Sequence, residues 1–206
     1  MKILLINGSP NEHGCTDLAL REVARTLEDC GVQTELLWIG KGPIHGCVAC
    51  GDCRNKGRCV FDDDPVNRAI EKMQQADGLV VGSPVYYASA NGSVVSLLDR
   101  MFYATGGFPG KPAAAVVSAR RAGTTASLDE LNKYFTICGM PVVSSGYWNM
   151  IHGNNPDEAA QDAEGLQIMR NLGRNMAWLL RCIQAGREQD VVFPKQERDY
   201  RTNFIR

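Results

Sequence analysis

The chain lacks any apolar run long enough to cross a membrane, and its opening run covers only residues 3–6, too short for the core of a signal peptide. It lacks an excess of charge of either sign: 22 Lys and Arg stand against 23 Asp and Glu, a net charge of −1. That excludes a broad basic face for nucleic acid and argues against a strongly acidic electron shuttle. Internal repeats and low-complexity tracts are missing too. No Gly-x-Gly-x-x-Gly fingerprint and no loop ending in Gly-Lys-Ser/Thr occurs, so neither the dinucleotide-binding fingerprint nor a Walker P-loop is present. Cysteine, by contrast, is plentiful at eight residues. With no export segment the expected location is cytoplasmic, where those cysteines are thiols or metal ligands and not a disulfide framework.

What is there is an alternation. Apolar runs at 2–7, 33–39, 78–83, 113–118 and 141–145 read as strands. Between and after them, 16–30, 65–75, 93–103, a stretch from 127 to about 139, and 162 to about 185 read as helices. Asp64 before Pro65 forms a start signal, and Ser127 with Glu130 reads as a capping box. Strands alternating with helices imply one α/β domain over residues 1–185, a doubly wound five-stranded parallel sheet with helices on both faces. A cysteine-rich loop at 40–64 is inserted after the second strand. A polar tail at 186–206 follows, either a loosely ordered end or an arm that packs on a second subunit.

Doubly wound sheets bind ligands at the carboxyl ends of their strands, where strand order reverses. The loop after the first strand runs Gly8-Ser9-Pro10-Asn11-Glu12-His13-Gly14-Cys15-Thr16 into a helix. Backbone N–H groups at a helix start seat phosphate, and here no Lys or Arg would assist them. The loop after the third strand carries Pro84, Val85, Tyr86 and Tyr87, flat apolar groups suited to a planar ring or to packing on the next helix. The loop after the fourth strand offers Ser118, Arg120, Arg121 and Gly123.

These residues resemble the NADPH-dependent FMN reductase and iron–sulfur flavoprotein family. The matching segments are GSPNEHGCT at 8–16, SPVYY at 83–87, LLDRMF at 97–102 and ARRAG at 119–123. The resemblance covers roughly residues 1–148. It implies a flavodoxin-like fold with strand order 2-1-3-4-5 and FMN at the crevice between strands one and three. It places the FMN phosphate against Ser9, Asn11, Cys15 and Thr16. The flavin ring would lie against Pro84, Val85, Tyr86 and Tyr87, with Asn91 nearby and Ser118 and Arg120 beyond. Cys15 departs from the small hydroxyl or amide residue more usual there, so only its backbone donor carries over. NAD(P)H is the implied electron donor, and a quinone, a nitro compound, free flavin or a cluster the acceptor. A cofactor that carries the reaction itself demands no catalytic acid or base from the protein.

Four cysteines, Cys47, Cys50, Cys53 and Cys59, follow a C-x2-C-x2-C-x5-C spacing. Three thiolates at such intervals in one loop, with a fourth close by, can wrap a metal centre. The spacing is similar to that of iron–sulfur flavoproteins, where it holds a 4Fe–4S cluster. Zinc and metal-free thiols remain open alternatives. Asp62, Asp63 and Asp64 read as a helix start, and Cys30, Cys138 and Cys182 as core thiols on helices. The resemblance also implies a homodimer or larger assembly. Residues 146–152, with Tyr147, Trp148, Met150 and Ile151, are more apolar than a solvated connection requires. Two rival functions stay in view: a non-enzymatic electron carrier, and a thiol or metal redox sensor on the same scaffold.

Overall fold

The computed structural model describes residues 1–200, 202 and 204. Five parallel strands form the sheet: β1 (Lys2–Asn7), β2 (Gln33–Trp38), β3 (Gly78–Tyr86), β5 (Ala113–Ala119) and β6 (Met150–His152), in the order β2-β1-β3-β5-β6. Counted as parallel strands, this is the 2-1-3-4-5 order. A two-residue strand, β4 (Ser89–Ala90), folds back antiparallel on the end of β3. The helices are α1 (Cys15–Asp29), α2 (Val66–Gln75), α3 (Gly92–Thr105), α4 (Thr124–Ile137), the single turn α5 (Pro156–Ala159) and α6 (Ala163–Arg187).

The period-2 alternation of the strands explains the layers. Leu4, Ile6, Leu79 and Val81 point to one face and are covered by α2, α3 and α4 through Ile70, Met73, Leu97, Met101, Leu131 and Phe135. Ile3, Leu5, Val80 and Val116 point to the other and meet α1 and α6 through Leu20, Val23, Leu27, Met169, Leu172 and Met176. Each such side chain, fully buried, contributes roughly 1.5–3 kcal/mol. Both faces being covered, the strands read as continuous apolar runs.

Three expectations are corrected. The last strand is not at 141–145. Val142 makes only an isolated bridge to Ala113, and the regular strand comes later, with Met150 opposite Val117 and His152 opposite Ala119. Between them the chain leaves the sheet. Buried Asn149 donates to the Ala115 carbonyl at 3.0 Å and accepts from Ser145 Oγ at 2.6 Å, so a side chain substitutes for the missing ladder. Next, α4 starts at Thr124 after Gly123, whose φ of +91° suits glycine. Ser127 is inside the helix, its hydroxyl donating back to the Gly123 carbonyl. Finally, Cys30 and Cys138 are half-buried residues that end α1 and α4, and Cys182 is exposed on α6.

After α6 the chain turns back on itself, and Phe193 packs its ring against Gly110 and Gly139. Residues 201, 203, 205 and 206 of the expected inter-subunit arm lie outside the described residues. Among the described residues no helix is long and apolar enough to cross a membrane.

Candidate functional site

Three loops meet at the carboxyl edge of the sheet. The turn after β1 enters α1 at Gly14, which caps the helix without a side-chain hydrogen bond. The first-turn N–H groups of Cys15, Thr16 and Asp17 have no partner further back in the helix, and they carry its positive dipole end. Ser9 is 4% exposed and accepts from the Asn11 N–H at 3.1 Å; Asn11 itself is exposed. Trp38, ending β2, donates from Nε1 to the Ser9 carbonyl at 2.8 Å and ties the turn to its neighbour strand.

The second loop is a hairpin. β3 runs on to Tyr86, Val85 pairs with Ala90, and the turn holds Tyr87 at a φ of +57°, a left-handed conformation costly for a bulky residue. Pro84 and Val85 are half-buried while Tyr86 and Tyr87 stand in solvent. Glu130 of α4 braces the hairpin, accepting from Ser89 Oγ and from the Ala90 N–H. Asn91 is the bolt between loops. It caps α3 by accepting from the Ser93 N–H, takes Ser83 Oγ with its own N–H, and donates from Nδ2 to the Gly8 carbonyl at 2.6 Å. Gly8 is needed for this approach, since a Cβ there would stand 2.7 Å from the Gly82 carbonyl oxygen and from Val94.

The third loop joins through Ser118. Its hydroxyl lies 2.8 Å from Thr16 Oγ1, and both residues are buried. Two hydroxyls share one hydrogen bond, so one O–H hydrogen remains for another acceptor. Arg120 is exposed on the far side. Across the three loops Thr16 meets Ser118, Asn91 meets Gly8 and Pro84 stands opposite Ser118, forming a shelf. On its hairpin side Val85, Tyr86 and Tyr87 follow, with Ser9 and Asn11 in the first turn and Arg120 exposed beyond Ser118. Cys15 borders it with its backbone only: the thiol donates to the Gly153 carbonyl at 3.6 Å, and burial pushes it above the usual thiol range. The shelf fits a phosphate-bearing cofactor because its helix end has no side-chain cap and is bordered by buried hydroxyls, while the first-turn carboxylate of Asp17 is paired with Arg21 at 2.7 Å.

The four cysteines of the second site line one small cavity of about 20 Å³, whose other walls include Val48, Val60, Phe61, Tyr103 and Ala104. Cys53 is buried on a short 3₁₀ turn (Asp52–Asn55), Cys59 is half-buried, and Cys47 and Cys50 are exposed. Burial pushes the Cys53 thiol up, and the nearby Cys50, Cys59 and Cys47 add to the effect. The loop winds tightly, with positive φ at Ala49 (54°), Gly51 (75°) and Gly57 (63°). For Ala49 that conformation costs roughly 1–2 kcal/mol. Among the described residues no three His, Cys, Asp or Glu side chains converge on a point that would hold a single ion. The four thiols line one space, and four thiolates are a donor set that suits a four-iron cluster or a zinc ion.

Two buried polar residues hold this loop. Asn67 of α2 accepts from the Cys59 N–H at 2.8 Å and donates to the carbonyls of Cys59 and Phe61. Arg100 of α3, 2% exposed, reaches Cys59, His45, Phe61 and Asp64. Asp64, expected only as a helix start, also pairs with that guanidinium. Sequence reasoning missed the role of Arg100, although it stands in the LLDRMF segment. Its signal was a lone cation between Leu97 and Met101 in an otherwise apolar helix stripe.

The model of the NADPH-dependent FMN reductase family matches residues 1–155. An iron–sulfur flavoprotein of Methanocaldococcus jannaschii is 31% identical over 193 residues, which cover 89% of this chain and 100% of that protein. Among solved structures, RosB with a bound 8-demethyl-8-formylriboflavin-5'-phosphate intermediate superposes with a TM-score of 0.70 at 18% identity, covering 100% of this chain and 94% of that one. A flavodoxin from the domain Archaea gives 0.59 at 14% identity, over 88% and 99% of the two chains. The structural likenesses establish the flavodoxin-like fold.

Proposed function

Since the chain belongs to the NADPH-dependent FMN reductase family, and is an FMN-dependent oxidoreductase on that ground, we propose that it takes electrons from NAD(P)H and delivers them through a cysteine-held 4Fe–4S cluster. FMN would be held on the shelf, its phosphate by the N–H groups at the start of α1 and its ring by Pro84, Val85, Tyr86 and Tyr87. The observation that carries this reading is the pairing of an uncapped, half-buried helix start with a separate cavity walled by four cysteines in one subunit. Bound FMN would supply the change from two-electron hydride to single-electron chemistry, and a four-iron cluster would pass those electrons on singly.

The protein's own work is binding and exclusion. The N–H groups of Cys15 and Thr16 and the free hydroxyl hydrogen of the Thr16–Ser118 pair donate to the phosphate, with the dipole of α1 behind them. Ser9 and Asn11 shape the turn. Asn91 and Glu130 keep the tyrosine hairpin in register with it. Arg120, exposed at the rim, supplies a cation for the anionic end of the flavin or the nicotinamide nucleotide. Cys47, Cys50, Cys53 and Cys59, which line one cavity, would ligate the cluster.

The acceptor is a quinone, a nitro compound, free flavin or a one-electron carrier protein. The ledge of Tyr147 and Trp148, both 57% exposed with ring centroids 4.9 Å apart, supports a homodimer or larger assembly. The test is purification without oxygen. Released cofactor is identified by chromatography, iron and acid-labile sulfide are assayed on the same sample, and NADPH and NADH oxidation are followed without a second protein. FMN, iron, sulfide and unaided turnover are expected. Recovery of FAD, or a need for a separate reductase, overturns the flavin reading. Iron-free protein after reconstitution overturns the cluster.

A further inference from the structure

Arg100 is a charge where the fold has least use for one. It lies in the middle of α3, which otherwise buries Leu97, Leu98 and Met101, and it is 2% exposed. A buried ion pair rarely repays its desolvation against apolar side chains of equal volume, so stability alone is a weak reason for it. Its contacts suggest another reason. Nε donates to Cys59 Sγ at 3.1 Å, Nη1 to the His45 carbonyl at 3.1 Å and to Asp64, and Nη2 to the Phe61 carbonyl at 3.2 Å. The guanidinium carbon is 5.3 Å from the centre of the Phe61 ring, another wall of the cysteine cavity. Four contacts fix the group in place, and the one to sulfur faces the cavity.

The pair with Asp64 is neutral overall but oriented. The cation meets the sulfur through Nε and the carboxylate through Nη1, and the carboxylate also accepts from the Val66 N–H at 3.2 Å. The positive member of the pair is therefore the one in contact with a cysteine of the cavity. Each one-electron reduction adds a negative charge to the cluster, and hydrogen bonds to the ligating sulfurs stabilise the reduced form. The guanidinium stays charged throughout, so no proton moves with the electron.

We propose that Arg100 is a positioning residue that raises the reduction potential of the cysteine-held cluster through its bond to Cys59, with Asp64 opposing it. This rests on the cluster reading above. Two substitutions separate the charge from the scaffold. Arg100→Lys keeps a cation for Asp64 but loses the planar fork, and with it the donor to Cys59. Asp64→Asn keeps the acceptor for the Val66 N–H and unmasks the cation.

The experiment is a dye-mediated redox titration of anoxic holoprotein, read by the spectrum of the reduced cluster, with the flavin midpoint as internal control. Arg100→Lys is expected to lower the equilibrium constant for cluster reduction at least tenfold, which is 59 mV for one electron. Asp64→Asn is expected to raise it. Iron and sulfide per chain and the flavin midpoint stay constant. If Arg100→Lys fails to hold iron, Asp64→Asn alone decides, and an unmoved or lowered cluster midpoint in that variant overturns the proposal. Iron-bearing wild type whose variants do not shift in opposite directions sinks this inference alone. Wild type without iron or sulfide after reconstitution sinks the cluster reading and this inference with it.

Discussion

The shelf at the sheet edge and the cysteine loop are built by opposite means. The shelf is made of strand ends and the turns that follow them directly, continuous with buried strands. Pro84 and Ser118 stand opposite each other in the β3–β5 register, Thr16 is bonded to Ser118, and Asn91 is bonded to Gly8. Moving any of them means moving the core. Residues 40–64 hold only one 3₁₀ turn, and most of their side chains are exposed. What anchors that loop is a few buried polar contacts from α2 and α3, chiefly Asn67 and Arg100. Geometry inherited from a sheet resists single substitutions, whereas geometry held by a few side chains depends on each of them.

The strongest way to separate the two regions is Cys50→Ser. Four thiolates act as one ligand set, so iron and sulfide content should fall to background while FMN stays bound at its wild-type stoichiometry. Loss of FMN together with iron would show that the sites are not independent.

A second test loosens the loop and leaves its ligands alone. Asn67→Ala strands the buried N–H of Cys59 and two carbonyls, at about 3 kcal/mol. In iron-free protein the labelling of Cys53 by a thiol reagent should therefore accelerate by roughly a hundredfold. FMN affinity should not change. Because burial holds the Cys53 thiol above its usual range, wild-type labelling should stay slow at neutral pH and rise only as pH climbs past that range.

On the shelf the expected effects are smaller. Thr16→Val removes the hydroxyl bonded to Ser118 and should weaken FMN by roughly 1.5–3 kcal/mol, read by titration of the flavin-free protein. Unchanged affinity would remove Thr16 from the phosphate seat. Smallest of all is Cys15→Ala. Its thiol faces the Gly153 carbonyl and its N–H survives, so FMN affinity should move by less than about 0.5 kcal/mol. A larger loss would mean that the thiol itself reaches the phosphate.

Much of this was legible in the residues. Continuous apolar runs separated by amphipathic stretches admit few arrangements other than a covered parallel sheet, because strands apolar on both faces need helices on both. That places the loops after β1, β3 and β5 at one edge, and the cysteine spacing marks its own loop. Local signals misled where a side chain could substitute for backbone pairing. Residues 141–145 have strand composition, yet Asn149 and Ser145 divert the chain, and pairing resumes at Met150. Ser127 and Glu130 have capping-box spacing, yet Gly123 starts the helix earlier and Glu130 is used by the tyrosine hairpin.

The sequence by itself determined the covered parallel sheet and pointed to both candidate centres, since periodicity and ligand spacing are properties of neighbours along the chain. Tertiary structure alone decided which atoms serve them. Cys15 turns its thiol away from the shelf, Thr16 shares its hydroxyl with a residue of another strand, and Arg100 brings a buried cation to Cys59 across 41 positions. Such partners are chosen by which elements the sheet places side by side, and no local pattern encodes that choice.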